Sequence, residues 1–242
     1  MLIPLRNYSN YSICESNIKI DDLVNFAEKE KLPAIALTDY KLLSGVLEFS
    51  IKCQKKGIQP IIGLDVDYLS ILKNYSRLTI LSKNEKGFKN LNILSTKINT
   101  ENDFQLSLKN IKDFSNGNIL ILGGLYSYFE DLNINKNNLK VIFDEINTLN
   151  KMFNSDIFFE LDENLDNKLL NEASQKCNIN CFMSSFSFYK QDKDFDAIKI
   201  LHCLKNGEYL QNTSFKLKNN YSLTQSHQNL SLIHISEPTR LT

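Results

Sequence analysis

Histidine is scarce in this chain. Three occur in 242 residues: His202, His227 and His234. Arginine is as rare (Arg6, Arg77 and Arg240), so positive charge is carried almost wholly by lysine. Lysine plus arginine and aspartate plus glutamate balance at 28 each, so nothing in the net charge argues for a surface built to coat nucleic acid. The five cysteines (Cys14, Cys53, Cys177, Cys181 and Cys203) form no C-x-x-C pair. They fall mostly where the pattern reads as core, which points to a reduced, cytoplasmic chain. No apolar run is long enough to span a bilayer and the first residues show no signal-peptide pattern, so no membrane partner is expected. The abundance of Lys, Asn and Ile suggests an AT-rich genome more than a function.

What is present is alternation. Leu2–Leu5, Ala34–Leu37 and Pro60–Val66 are short apolar runs of the kind that form buried strands. Between the first two, Leu23, Val24 and Ala27 share a helical face that Asp21 can cap. Between the second and third, Val46, Phe49, Ser50 and Cys53 make another face, with Gly57 where that helix would end. Such spacing predicts right-handed crossovers and a parallel sheet. Further strands are predicted at Arg77–Ser82, Ile119–Leu122, Ile157–Leu161 and Asn180–Ser184. Helical faces recur at Phe88/Leu91/Ser95/Ile98, Leu108/Ile111/Phe114, Leu139–Met152, Leu165–Cys177 and Phe195/Ile198/Leu201/Leu204, the last capped by Gly207. Seven strands alternating with helices are best buried in a closed or nearly closed barrel, an open doubly wound sheet being the other possibility.

The stretch PAIALTDY, then SGVLEF and KKGIQPIIGLDV, resembles the N-terminal PHP (polymerase and histidinol phosphatase) domain of bacterial replicative DNA polymerase III α subunits. The opening LRNYSNYS is similar to that family's first motif, and RLTILSKNEKGFKNL and NCFMSSFSFYKQDKDFDAIKILHCLKNGEYL extend the resemblance to about residue 210. It implies an α/β fold, a PHP-type distorted (β/α)7 barrel akin to the TIM barrel. It also implies a site of two or three metal ions held by histidines with a few carboxylate or cysteine ligands, where a bound water becomes the nucleophile.

The family's ligand positions are poorly filled here. Its first two histidines correspond to Arg6 and Tyr8, the histidine after T-D to Tyr40, and a further one to Arg77. Leu125 stands where cysteine is frequent, and Phe186 and Phe188 replace a final Asp-x-His pair. Glu15 and Asp65 alone keep a carboxylate. A degenerate site with no bound metal is therefore expected, with a guanidinium–carboxylate pair in the space the ions left.

Blander readings prevail elsewhere. Glu15 and Asp65 read as salt links or loop carboxylates, His202 as a packed or half-exposed helix residue, and Asp39 as a strand-end residue bonding the following turn. Ser184-Ser185 lacks the glycines of a nucleophile elbow, and Gly123-Gly124 alone makes a weak phosphate site. The runs Glu28–Lys31 and Lys55-Lys56 read as solvated helix ends.

Residues 1–210 are thus expected to form the PHP domain, and 211–229 the start of a following polymerase region. Residues 230–242 (LSLIHISEPTRLT) look like a translated sequencing adapter, with no fold of their own. The resemblance implies a DnaE-type replicative subunit and partners in the rest of that subunit and the proofreading exonuclease (ε) subunit. DNA would be met only through the full polymerase, whose missing domain would carry the magnesium. The alternative is a free-standing PHP-type metal-dependent phosphoesterase or 3′–5′ exonuclease.

Overall fold

The computed structural model describes residues 3–127, 136–162, 165–184, 186–213, 215 and 221–224. In chain order its strands are β1 (Arg6–Asn7), β2 (Ala34–Leu37), β3 (Gln59–Leu69), β4 (Tyr75–Ser82), β5 (Asn118–Gly123), β6 (Ile157–Asp162), β7 (Cys181–Ser184) and β8 (Phe186–Ser187). Its α-helices are α1 (Ile20–Lys29), α2 (Val46–Lys55), α3 (Glu85–Thr100), α4 (Lys136–Met152), α5 (Lys168–Cys177) and α6 (Phe195–Asn206). The chain divides into two compact units, Met1–Ile61 with Ser185–Thr242, and Ile62–Ser184. No helix among the described residues is long and apolar enough to cross a membrane.

In the first unit β1 lies parallel to β8, Arg6 opposite Phe186 and Asn7 opposite Ser187. The first strand among the described residues is therefore Arg6–Asn7; of the expected Leu2–Leu5, residues 3–5 form no strand and Leu2 lies outside the described residues. Pro4 instead uses its carbonyl to accept from Ala36 N at 3.1 Å and from the Asn7 side chain at 3.2 Å. The AIAL run of β2 is buried along its whole length. Helix α1 buries Ile20, Leu23, Val24 and Ala27. Its first turn is closed by Asp22, which accepts from Lys19 N at 3.4 Å, whereas the expected cap, Asp21, pairs with Lys52 of α2 at 2.6 Å. Helix α2 buries Val46, Phe49 and Cys53, and burial pushes the Cys53 thiol up to about 11. Helix α6 turns inward through Ile198 and Cys203 and stops at Gly207 in the left-handed region, as the glycine predicted. Leu204, expected inward, is 70% exposed. Residues 221–224 return to this unit: Phe188 N donates to Tyr221 O at 3.1 Å and Leu223 N to Tyr189 O at 2.8 Å. Tyr221, Ser222 and Leu223 are buried there.

The second unit holds the sheet order β3-β4-β5-β6-β7. Pairs β5–β6 and β6–β7 are parallel, as expected, but β3–β4 and β4–β5 are antiparallel. Only residues 70–74 separate β3 from β4, and a parallel crossover needs a dozen or more. The simple strand-helix alternation therefore fails here. Eight strands are seen among the described residues in place of seven, and Leu108–Phe114 gives only a 3-10 turn at Ile111–Phe114.

Two glycines lock this unit locally. The Asn84 side chain caps α3 by accepting from Gly87 N at 3.0 Å. A Cβ on Gly87 would sit 2.0 Å from Gly117 O, and one on Gly117, whose φ is +79°, would lie 2.7 Å from Gly87 N.

Helix α4 turns Ile142, Ile146 and Leu149 inward, and with them Glu145, which is fully buried. Glu145 Oε1 accepts from Tyr68 Oη at 2.6 Å and from Ile71 N at 3.0 Å, tying the end of β3 and the β3–β4 turn to the helix. Burial raises its pKa, against the pull of those two donors. A proton is thus held more readily folded than unfolded, so stability present in acid is lost as pH rises through the window above the ordinary carboxylate value. Glu145→Gln keeps an acceptor and should flatten that pH dependence in thermal unfolding. Glu145→Ala removes the acceptor of one buried and one part-buried donor and should cost about 1–3 kcal/mol in urea titrations.

Candidate functional site

Strand alternation gathers four of the expected positions in the first unit. Residue 6 on β1 and residue 186 opposite it on β8 share a face with residues 8 and 188, each of which directly follows its strand. The Arg6 guanidinium lies 4.3 Å above the Phe186 ring and Nη2 donates to Tyr8 Oη at 3.5 Å. Tyr8 stacks on Phe188 at 4.7 Å, and Phe186 on Phe188 at 5.9 Å. Tyr221 closes the stack edge-on at 6.2 Å from both phenylalanines. All four residues are buried, so this end of the unit is filled by a cation and aromatic rings.

Beside it, Asp39 organises the loop after β1. Its Oδ1 accepts from Ser9 N and Ser12 Oγ, both at 2.6 Å, and Oδ2 from Ser9 Oγ at 2.7 Å. The bonded turn precedes Asp39 by about 30 residues and is not the one that follows it. Burial raises the Asp39 pKa, while the Ser12 and Ser9 donors oppose the shift. Tyr40 N donates to the same Ser12 Oγ at 3.0 Å. Glu15, 8% exposed at its side chain, pairs with Lys205 Nζ at 2.5 Å, and Lys205 also lies 5.1 Å from the Tyr40 ring centroid. His202, half-buried on its helix, lies 2.8 Å from Asn206 Nδ2 and 5.0 Å from the Phe215 ring.

In the second unit, antiparallel pairing decides the arrangement. Asp67 stands opposite Arg77 and Asp65 opposite Thr79. Arg77 Nη1 is 3.8 Å from Asp65 Oδ2 and Arg77 Nε 3.9 Å from Asp67 Oδ1, while the guanidinium covers the Tyr126 ring at 4.5 Å. Thr79 Oγ1 donates to Asp65 Oδ1 at 2.9 Å. Asp65 is fully buried and the Arg77 side chain 12% exposed. Leu125 is half-buried in the turn after Gly124, beside Tyr126.

Sequence reasoning missed Glu160 and Asp162, both fully buried at the end of β6. By register, Thr79 pairs with Ile121 and Ile121 with Phe158, so Glu160 and Asp162 lie on the face that carries Asp65. The signal was in FELD, where two acids alternate with two apolar residues at a strand end. These carboxylates have the chemistry for a divalent cation. Among the described residues, however, no three His, Cys, Asp or Glu side chains are placed to hold one together.

The comparisons now define the class. Residues 4–164 match the PHP domain model, and the chain belongs to that family. Its curated relatives are named DNA polymerase III subunit alpha. That of Buchnera aphidicola subsp. Acyrthosiphon pisum is 30% identical over 236 residues, covering 92% of this chain and 20% of the relative. That of Rickettsia felis is 39% identical over 104 residues, covering 43% and 9%. The chain thus spans a fifth or less of the length of these relatives. The α/β fold of PHP type is also seen in its likeness to an amidohydrolase from Chromobacterium violaceum with bound sulfate and no metal. That likeness has TM-score 0.51 and 10% identity, and covers 82% of this chain and 96% of the other.

Asp39→Ala frees three buried donors and should cost about 2–4 kcal/mol, with faster amide exchange at residues 9–12. A double-mutant cycle of Arg77→Met and Asp65→Asn should return a coupling of about 1–3 kcal/mol in urea unfolding.

Proposed function

We propose that this chain is a non-catalytic PHP module at the N-terminus of a replicative DNA polymerase III α subunit, serving DNA replication as architecture. The observation that carries the reading is Arg77, a fixed cation within ion-pairing range of both Asp65 and Asp67. A guanidinium cannot be displaced by deprotonation, and it repels a divalent ion brought to the same carboxylates. In the first unit five of the family's ligand positions hold Arg6, Tyr8, Tyr40, Phe186 and Phe188, which offer no imidazole or carboxylate, and the sixth, Glu15, is paired with Lys205. These residues do not fit a two- or three-metal centre.

On this reading the module needs no cofactor of its own, and magnesium belongs to the polymerase domain elsewhere in the longer chain. Its partners are the remainder of that chain and the exonuclease ε subunit docked on its surface, in the bacterial cytoplasm at the replisome. The relatives' shared name and their greater length support this reading.

The test is hydrolysis of bis(p-nitrophenyl) phosphate by the purified chain with manganese or zinc. The expected result is no turnover above background. Turnover abolished by EDTA would overturn the proposal in favour of a free-standing phosphoesterase or exonuclease.

A further inference from the structure

The outward side of α6 is apolar. Ala197, Ile200 and Leu204, at i, i+3 and i+7, share one side of the helix, away from the inward Ile198. Ile200 is 47% and Leu204 70% exposed, and just past the helix Tyr209 and Leu210 are 83% and 49% exposed. Four large apolar side chains open to water within eleven residues mark a surface that something covers.

The course of the chain indicates what does so. Tyr221 N donates to Tyr189 Oη at 3.1 Å, Leu223 N to Tyr189 O at 2.8 Å, and Thr224 Oγ1 to Lys190 O at 3.4 Å. Lys190 lies five residues before Phe195, the first residue of α6. The backbone passing Thr224 is therefore pinned beside the N-terminal end of the helix that bears the stripe. A segment tethered so close reaches the stripe at an effective concentration on the order of millimolar, which favours it over a separate molecule.

We propose that the stripe Ala197–Ile200–Leu204, with Tyr209 and Leu210, is the seam on which polypeptide downstream of Thr224 packs in the full-length chain. This rests on the reading above, that the module belongs to a longer polymerase subunit. About four-fifths of the Buchnera relative lies outside its match to this chain, which supplies ample polypeptide for such a seam.

The test uses the full-length chain from the source genome. The reading frame past Thr224 is determined first: a frame that does not continue into a polymerase overturns the underlying reading and the seam with it. With a continuing frame, Leu204→p-benzoylphenylalanine is irradiated and the crosslinked peptides are identified by mass spectrometry. The expected product is an intrachain crosslink to a downstream segment at unchanged monomer mass. A second variant, Ile200→Lys with Leu204→Lys, keeps helix propensity and should lower the unfolding midpoint of the full-length chain by several degrees, whereas an open face would leave it nearly unmoved. A crosslink to a second copy, to the exonuclease subunit, or to nothing, in a chain whose frame continues, overturns the seam alone.

Discussion

A buried carboxylate must be given a cation, a set of donors or a proton, and much of this molecule answers that requirement. Asp65 receives the Arg77 guanidinium and the Thr79 hydroxyl. Asp39 receives two serine hydroxyls and a backbone N–H, and Glu145 a tyrosine hydroxyl and a backbone N–H. Each set of donors arrives from a distant part of the chain. The acids thus act as nodes that fix loops to strands and helices: residues 9–12 to the end of β2, and the β3–β4 turn to α4. Removing one side of such a contact leaves the other buried and unsatisfied, so these nodes constrain the fold more strongly than their net stabilising energies suggest.

The antiparallel β3–β4 pair gives Arg77 its role. In an all-parallel sheet the beginning of β4 would lie at the opposite end from the close of β3. The short turn at residues 70–74 reverses the chain and brings Arg77 opposite Asp67, two residues from the Asp65–Thr79 pair. A single connection length thereby sets the electrostatics at one end of the sheet. In the first unit the parallel β1–β8 pairing does comparable work, since its register stacks Arg6, Tyr8, Phe186 and Phe188 into one block.

Much of this was legible from residue patterns. The run Ala34–Leu37 was located to the residue, because four consecutive small or aliphatic side chains buried on both faces leave no other reading. Gly207 announced the end of α6, and Ile142, Ile146 and Leu149 announced the inward face of α4. Periodicity does not find the first strand, because its buried residues, Arg6 and Asn7, are polar, while the apolar run just before them reads as the better strand. The β3–β4 reversal was missed because periodicity marks elements and not their direction; the five-residue gap was the signal to weigh. Leu204 was assigned inward because helical spacing alone cannot tell a core face from one that meets another surface. The positions of Arg77 and Phe186 are readable from family resemblance, but the sheet face shared by Glu160, Asp162 and Asp65 depends on strand register, which no local pattern records.

The glycine pair carries a consequence of a different kind. Gly87 and Gly117 press backbone on backbone so closely that neither can acquire a methyl group while the other stays in place. Relief would require the first turn of α3 and the approach to β5 to separate, disturbing the Asn84 cap on the way. Mutational drift is therefore blocked at both positions at once. In a chain so given over to lysine and asparagine, these two residues are where evolutionary wandering should stop.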